Sequence, residues 1–253
     1  MGLFRKLNYT LCIALGSCFS TSLVIMVIKE LNQFPRETVE QLLAGIPFYK
    51  SVKQQDEWQF ELLLQHSRVI TYRAGETILR QGESDSWLFF LLKGQLDVLV
   101  EDGLGQHHVN QITPGEVFGD LAMLVERERT ANVVVPDNVR EAVVFGTNFD
   151  VFGPLEKLQP VNLDTKLTYY RNTVHSLRWK LEVYRNQHPE HELASRHRLV
   201  KLYTGPKDCL DELKGLHRQA SELAVLLIAW NGKFGRVSEP LVTPSPQLVA
   251  AIA

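Results

Sequence analysis

Phe118-Gly119-Asp120-Leu121-Ala122-Met123-Leu124-Val125-Glu126-Arg127-Glu128-Arg129-Thr130-Ala131-Asn132-Val133 interrupts a long run of short β-rich segments, and its reading decides the fold. A glycine and a carboxylate open a short helical turn expected over Leu121–Val125, and Arg129 follows before a strand begins. The first N–H groups of a helical turn have no intrahelical acceptor and point outward, which suits an anion. An arginine beside them adds a planar fork matched to phosphate oxygens. The carboxylate can accept a hydrogen bond from a sugar hydroxyl. The set fits a ligand that carries both a phosphate and a ribose.

Around this stretch the chain reads as sheet. Residues 68–72, 77–80, 87–92, 95–100, 108–112, 131–135 and 142–145 are β-rich. Between them lie the turn pairs Ala74-Gly75, Gln81-Gly82, Lys93-Gly94, Pro114-Gly115 and Pro136-Asp137, with Gly103-Leu104-Gly105 as a further break. Short strands at near-regular spacing with glycine punctuation predict an antiparallel sandwich or barrel and not a parallel sheet. Nine glycines fall between Gly75 and Gly153 and none between Pro154 and Thr204, so the β region ends near residue 153. Ahead of it, Thr38-Val39-Glu40-Gln41 has the form of a capping box for a short helix ending at Gly45, and residues 54–65 form a second helical stretch.

The stretch 118–133 resembles, without a gap, the phosphate-binding cassette of the cyclic-nucleotide-binding domain family. Tyr72-Arg73-Ala74-Gly75-Glu76-Thr77-Ile78, Arg80-Gln81-Gly82-Glu83, Leu91-Leu92-Lys93-Gly94-Gln95-Leu96 and Pro114-Gly115-Glu116-Val117 resemble that family's preceding motifs in the same order. The similarity covers about residues 42–152. It implies an α+β chain whose centre is an antiparallel, jelly-roll-like β-roll, followed by a C-terminal helical region. By the same resemblance Arg129 binds the cyclic phosphate of cAMP or cGMP, and Gly119, Leu121 and Ala122 supply backbone contacts. Asp120 stands where the family has glutamate on the ribose hydroxyl, Thr130 resembles the arrangement in cGMP-selective sites, and Ala131 completes the set. The aspartate departs from the pattern: it is shorter by one methylene, which weakens the hydroxyl contact or leaves it to a bridging water. Glu126 and Glu128 bring negative charge to the phosphate site, and Glu128 is positioned in sequence to pair with Arg129 when no ligand is bound.

From Leu7 to Ile28 no residue is charged, a run of 22. As a helix it would span about 33 Å, enough for a hydrocarbon core of roughly 30 Å. Residues 1–30 are therefore expected to be an N-terminal transmembrane helix. A cleaved signal (Leu15-Gly16-Ser17-Cys18 resembles a lipoprotein box) and a buried soluble helix are the competing readings, but the apolar run continues through Leu23–Ile28. Arg5 and Lys6 on one flank balance Lys29 and Arg36 on the other, so loop charge leaves the orientation open. Cyclic nucleotides are made in the cytosol, so a working sensor implies a single-pass protein with its domain in the cytoplasm.

Leu163, Leu167, Tyr170, Val174, Leu177, Leu181 and Tyr184 recur at heptad spacing. The seam suits a homodimer or packing within the chain. A second seam at Leu213, Leu216, Ala220, Leu223, Leu227 and Trp230 makes an antiparallel pairing of the two within one chain the natural expectation. Between Thr165 and Lys201 eight Lys/Arg face three Glu, a surface for anionic lipid, nucleic acid or solvent. The resulting division is 1–30 anchor, 31–153 nucleotide-binding domain, 154–231 helical region and 232–253 flexible tail.

Composition excludes several classes. The 27 Lys plus Arg against 29 Asp plus Glu give a net charge of -2, without bulk attraction to nucleic acid. Cys12, Cys18 and Cys209 have no metal-ligand spacing and are too few for a disulfide scaffold. His188, His191 and His197 lie in a loop context that fits no common metal helix. No nucleophile elbow, phosphate loop or metal pair is present, so the chain reads as a non-enzymatic sensor that signals to a protein partner. An activator-type DNA-binding regulator lacks its helix-turn-helix signature here. A degenerate β-roll scaffold that binds no nucleotide is the other alternative.

Overall fold

The computed structural model describes residues 27–31, 34–103 and 105–234. In chain order the elements are β1 (Val27–Glu30), α1 (Arg36–Leu43), α2 (Pro47–Gln55), α3 (Glu57–Gln65), β2 (Ser67–Arg73), β3 (Thr77–Leu79), β4 (Trp87–Lys93) and β5 (Leu96–Asp102). They continue with β6 (Gly105–Ile112), β7 (Val117–Phe118), α4 (Asp120–Leu124), β8 (Asn132–Val134), β9 (Glu141–Asn148), α5 (Leu163–Gln187) and α6 (Leu210–Phe234). Two antiparallel sheets, ordered β1-β2-β9-β4-β7 and β3-β8-β5-β6, form the roll. Ile70, Leu79, Phe89, Leu91, Leu96, Ile112, Phe118 and Val133 fill the space between them.

Every one of the seven β-rich runs is a strand, because strand-forming residues bounded by turn residues act locally. Besides β1, strand β7 is an addition: two residues, too short for a period-two signal, held by pairing with Phe89 and Phe90. The N-terminal helices differ in detail from their sequence signals. Helix α1 starts at Arg36 after Pro35, and the Thr38 N–H bonds the Pro35 carbonyl at 3.0 Å, so Thr38 is inside the helix and is not its cap. The stretch 54–65 is broken at Asp56, whose extended backbone ends α2 and whose carboxylate accepts from the Trp58 and Gln59 N–H groups at 3.0 and 3.1 Å to start α3.

The expected anchor helix fails at its inner end. Val27–Glu30 is a strand, with Val27 opposite Thr71 and Glu30 opposite Arg68. The β2 edge carries backbone groups that need partners, and the β-branched pair Val27-Ile28 suits an extended chain. Residues 7–26 of the charge-free run lie outside the described residues. Among the described residues no helix is long and apolar enough to cross a membrane.

A second apolar core joins α1–α3 and the outer face of β2, β4 and β9 to α5 and α6, so the helices and the roll share buried side chains. At its centre the Tyr49 hydroxyl contacts Thr147, which also bonds Ser67 at 2.8 Å. Burial pushes the Tyr49 hydroxyl up to about 12. The buried Lys166 ammonium donates to the carbonyls of Pro154, Leu155 and Lys157 at 2.7, 3.3 and 2.8 Å, which ties the linker after the roll to the first turn of α5.

Helices α5 and α6 run parallel, correcting the antiparallel expectation. Arg171 bonds Glu212, Tyr170 meets His217 at 5.4 Å, Tyr184 stacks on Trp230 at 5.4 Å, and the Tyr184 hydroxyl donates to Asn231 at 3.0 Å. Partners thus advance together along both helices. Residues 188–209 make this possible by running back along α5: His197 meets Glu182, Val200 meets Arg178 and Asp208 meets Arg171. A short turn enforces antiparallel neighbours; a segment this long does not. Leu167, Tyr170, Val174, Leu177 and Leu181 are buried, with α6 along that seam, so the homodimer expected through Leu163–Tyr184 has no open seam to use. The long connection also differs from the three- or four-residue turn of a helix-turn-helix. Helix α6 continues through Gly232 to Phe234, into the segment expected to be a flexible tail, and residues 235–253 lie outside the described residues.

Candidate functional site

Strand β7 delivers the chain to Gly119, whose φ of 84° is left-handed. A Cβ there would sit 3.0 Å from Arg129 Nη1 and 3.2 Å from the Trp87 carbonyl, so conformation and space both require glycine. Helix α4 starts immediately afterwards, and its leading amides lack intrahelical acceptors. Arg129 enters from the other side. Its N–H bonds the Glu83 carbonyl at 2.8 Å, and its own carbonyl accepts from Gly82 at 2.9 Å.

The Arg129 side chain is buried, and its guanidinium is almost fully engaged. Nε donates to Asp85 Oδ2 at 3.1 Å; Nη2 donates to Asp85 Oδ1 and to the Trp87 carbonyl, the latter at 2.7 Å; Nη1 donates to the Gly119 carbonyl. One N–H of the five remains for a ligand. The arginine therefore cross-links the β3–β4 turn, the start of β4 and the segment leading into α4. Glu128, the sequence-expected partner, is exposed, and Asp85 holds the arginine in its place.

Asp120 is buried at the start of α4, and burial pushes its carboxyl up. Lys180 on α5, the backbone N–H groups of Asp120 and Leu121, and Arg129 pull the other way.

Gly119, Asp120, Leu121, Ala122, Arg129, Thr130 and Ala131 all border one cavity between α4 and strands β5, β6 and β8. Its far wall is Val98, Asn110 and Ile112, and Lys180, Leu227 and Asn231 close it from α5 and α6. The volume is about 80 Å³. That is room for two or three waters, below the ~300 Å³ at which small-molecule pockets begin. A larger hollow of about 710 Å³ lies on the outer side of Arg129, between the 81–85 turn and residues 122–130. It carries Glu83, Asp85, Glu126 and Glu128 beside Arg127 and Arg129, so carboxylates outnumber cations around it.

Asp85, Lys180, Leu227 and Asn231 escaped the sequence reading. Asp85 lies in a polar turn 44 residues from Arg129, and the other three lie on helices brought over the roll only by tertiary packing. Among the described residues no cluster of three metal-ligating side chains occurs.

Residues 69–151 match the model of the cyclic nucleotide-binding domain family. Over 132 residues, 51% of its length, the chain is 25% identical to the cAMP-dependent protein kinase type II regulatory subunit of Drosophila melanogaster, of which 34% is covered. Over 97 residues, 38% of its length, it is 30% identical to the cGMP-dependent protein kinase of Toxoplasma gondii, of which 9% is covered. Among solved structures, the regulatory subunit of a cAMP-independent protein kinase A from Trypanosoma brucei is similar at 30% identity and a TM-score of 0.39. That likeness covers 45% of this chain and 40% of the other. The chain spans about a third or less of these two curated relatives.

Proposed function

We propose that the chain is a non-catalytic regulatory module whose cavity at Gly119–Ala122 and Arg129–Ala131 receives a cyclic nucleotide, cAMP or cGMP, and that occupancy moves the end of α6. The observation that carries this reading is the convergence of the α4 amides, Arg129 and the α6 residues Leu227 and Asn231 on one cavity. The cyclic phosphate would meet the remaining Arg129 N–H and the amides of Leu121 and Ala122. The ribose would meet Asp120, and Thr130 would lie beside the base.

At about 80 Å³ the cavity admits such a ligand only if Leu227 and Asn231 withdraw. Ligand and seated helix then exclude each other, and by linkage whatever loosens α6 raises affinity. The message passes through the α5–α6 pair to a protein partner. Residues 7–26, long enough as a helix of about 30 Å to span a bilayer, would tether the domain on the cytoplasmic side.

Isothermal calorimetry of the full chain with cAMP, cGMP, cCMP and cUMP tests the reading. Heat with at least one is expected, strengthened in Leu227→Ala, where the closing contact is trimmed. Absence of heat in both proteins would overturn it. That outcome leaves the β-roll as a scaffold that binds no nucleotide, a reading favoured by one specific observation: four of the five Arg129 N–H groups are already bonded inside the protein.

A further inference from the structure

The segment that returns along α5 presents two leucines to solvent from a backbone that is held in place. Leu199 is 82% exposed and Leu202 60%. Between and before them, Val200 and His197 are buried. Arg178 donates to the carbonyls of His197 and Val200 at 3.1 and 3.2 Å, and the His197 ring bonds Glu182 at 2.8 Å. The Tyr203 ring packs where Gly215 of α6 leaves room for it. These contacts turn Val200 inward and both leucines outward, so their exposure is built into the local structure.

Within residues 195–207 the charge has one sign, with Glu182 and Asp208 at its margins. Residues 195–207 contain Arg196, Arg198, Lys201 and Lys207 and no carboxylate, and all four cations are exposed. Arg198 pairs with Glu182 at 3.2 Å; among the described residues no carboxylate lies within ion-pairing distance of Arg196, Lys201 or Lys207. Outward apolar side chains on a segment rich in exposed cations match the boundary between acyl chains and anionic headgroups. A second copy of the same surface would bring like charges together, and nucleic acid would leave the leucines without an apolar environment.

We propose that residues 195–207 are a docking surface for an anionic lipid bilayer, with Leu199 and Leu202 entering the acyl boundary and Arg196, Lys201 and Lys207 meeting phosphate headgroups. This surface is separate from the nucleotide cavity and stands whether or not that cavity binds a ligand.

Hydrogen–deuterium exchange on the full chain tests it, with vesicles of phosphatidylcholine alone and of phosphatidylcholine mixed with phosphatidylserine. Amides of residues 195–204 are expected to slow with the mixed vesicles only, and raised salt should remove the effect. The variant L199A/L202A, which changes only exposed side chains, should lose about tenfold or more of that protection. The variant R196Q/K201Q should lose about as much. Equal exchange with both vesicle types, or protection unchanged in L199A/L202A, would overturn the proposal. So would protection by duplex DNA or by self-association without any from mixed vesicles.

Discussion

Asp85 holds Arg129 by two bonds, to Nε and to Nη2, across 44 residues of chain, and this pair joins the β3–β4 turn to the segment before β8. The arginine side chain is 3% exposed and the aspartate 32%, so the two partners do not carry equal risk. Asp85→Ala leaves a guanidinium buried without a counter-charge, whereas Arg129→Ala leaves a carboxylate that water can reach. Loss of one member of a buried pair costs about 3–5 kcal/mol. Urea unfolding should place Asp85→Ala in that range and the double variant well below the sum of the singles. A cost under about 1 kcal/mol for Asp85→Ala would show that the pair does not organise the site.

Gly119→Ala should destabilise the roll by about 1–2 kcal/mol from left-handed strain alone, with more from pressing on Arg129. Gly45 has no left-handed backbone and nothing within 4 Å of a built Cβ, so Gly45→Ala is the control and should cost far less. Equal urea midpoints for the two variants would contradict the close packing at Gly119.

Asp120 gives a pH test. Burial holds its folded-state pKa above the ordinary value of 3.8, so the folded chain binds that proton more tightly than the unfolded chain does. Its contribution to stability is full below 3.8 and is lost as the pH rises through the folded value. Asp120→Asn should therefore melt above the wild type at neutral pH, and the difference should close in acid. A lower melting temperature at neutral pH would mean that the carboxylate's bonds outweigh its burial.

Glu212 shows the opposite sign. Burial raises its pKa, but the hydrogen bonds from Arg171 at 2.7 and 2.8 Å and from the Asp208 N–H outweigh that and hold it below 4.5. This stabilisation is present above 4.5 and is lost as the pH falls through the folded value. Glu212→Gln should cost about 1–3 kcal/mol at neutral pH, the worth of hydrogen bonds to a charged group. It should also flatten the acid limb of stability, read by chemical denaturation across that range. An unchanged acid limb would place the acid-sensitive contact elsewhere.

Much of the roll was legible because strands and turns are written locally. β-rich runs and glycine breaks located seven strands, and the short motifs named residues that border one cavity between α4 and the sheets. The details that escaped are those in which distant groups compete. Asp56 has the same composition whether it continues a helix or caps the next one, and its side-chain bonds to Trp58 and Gln59 decide the matter. Val27-Ile28 reads as the end of an apolar helix, but the open edge of β2 supplies hydrogen-bond partners and makes it a strand.

By itself the sequence marked the short strands and turns of a sandwich or barrel, the glycine at 119, the arginine at 129 and two apolar helical seams, because each is written in residues within a few positions of one another. Only the tertiary structure decided that the seams run parallel, that Asp85 and not Glu128 takes the arginine, and that Leu227 and Asn231 close the cavity. Those outcomes depend on the path of residues 188–209 and on contacts between segments far apart in the chain. Periodicity records which side of a helix is apolar; it carries no information about the direction or identity of the surface that will cover it.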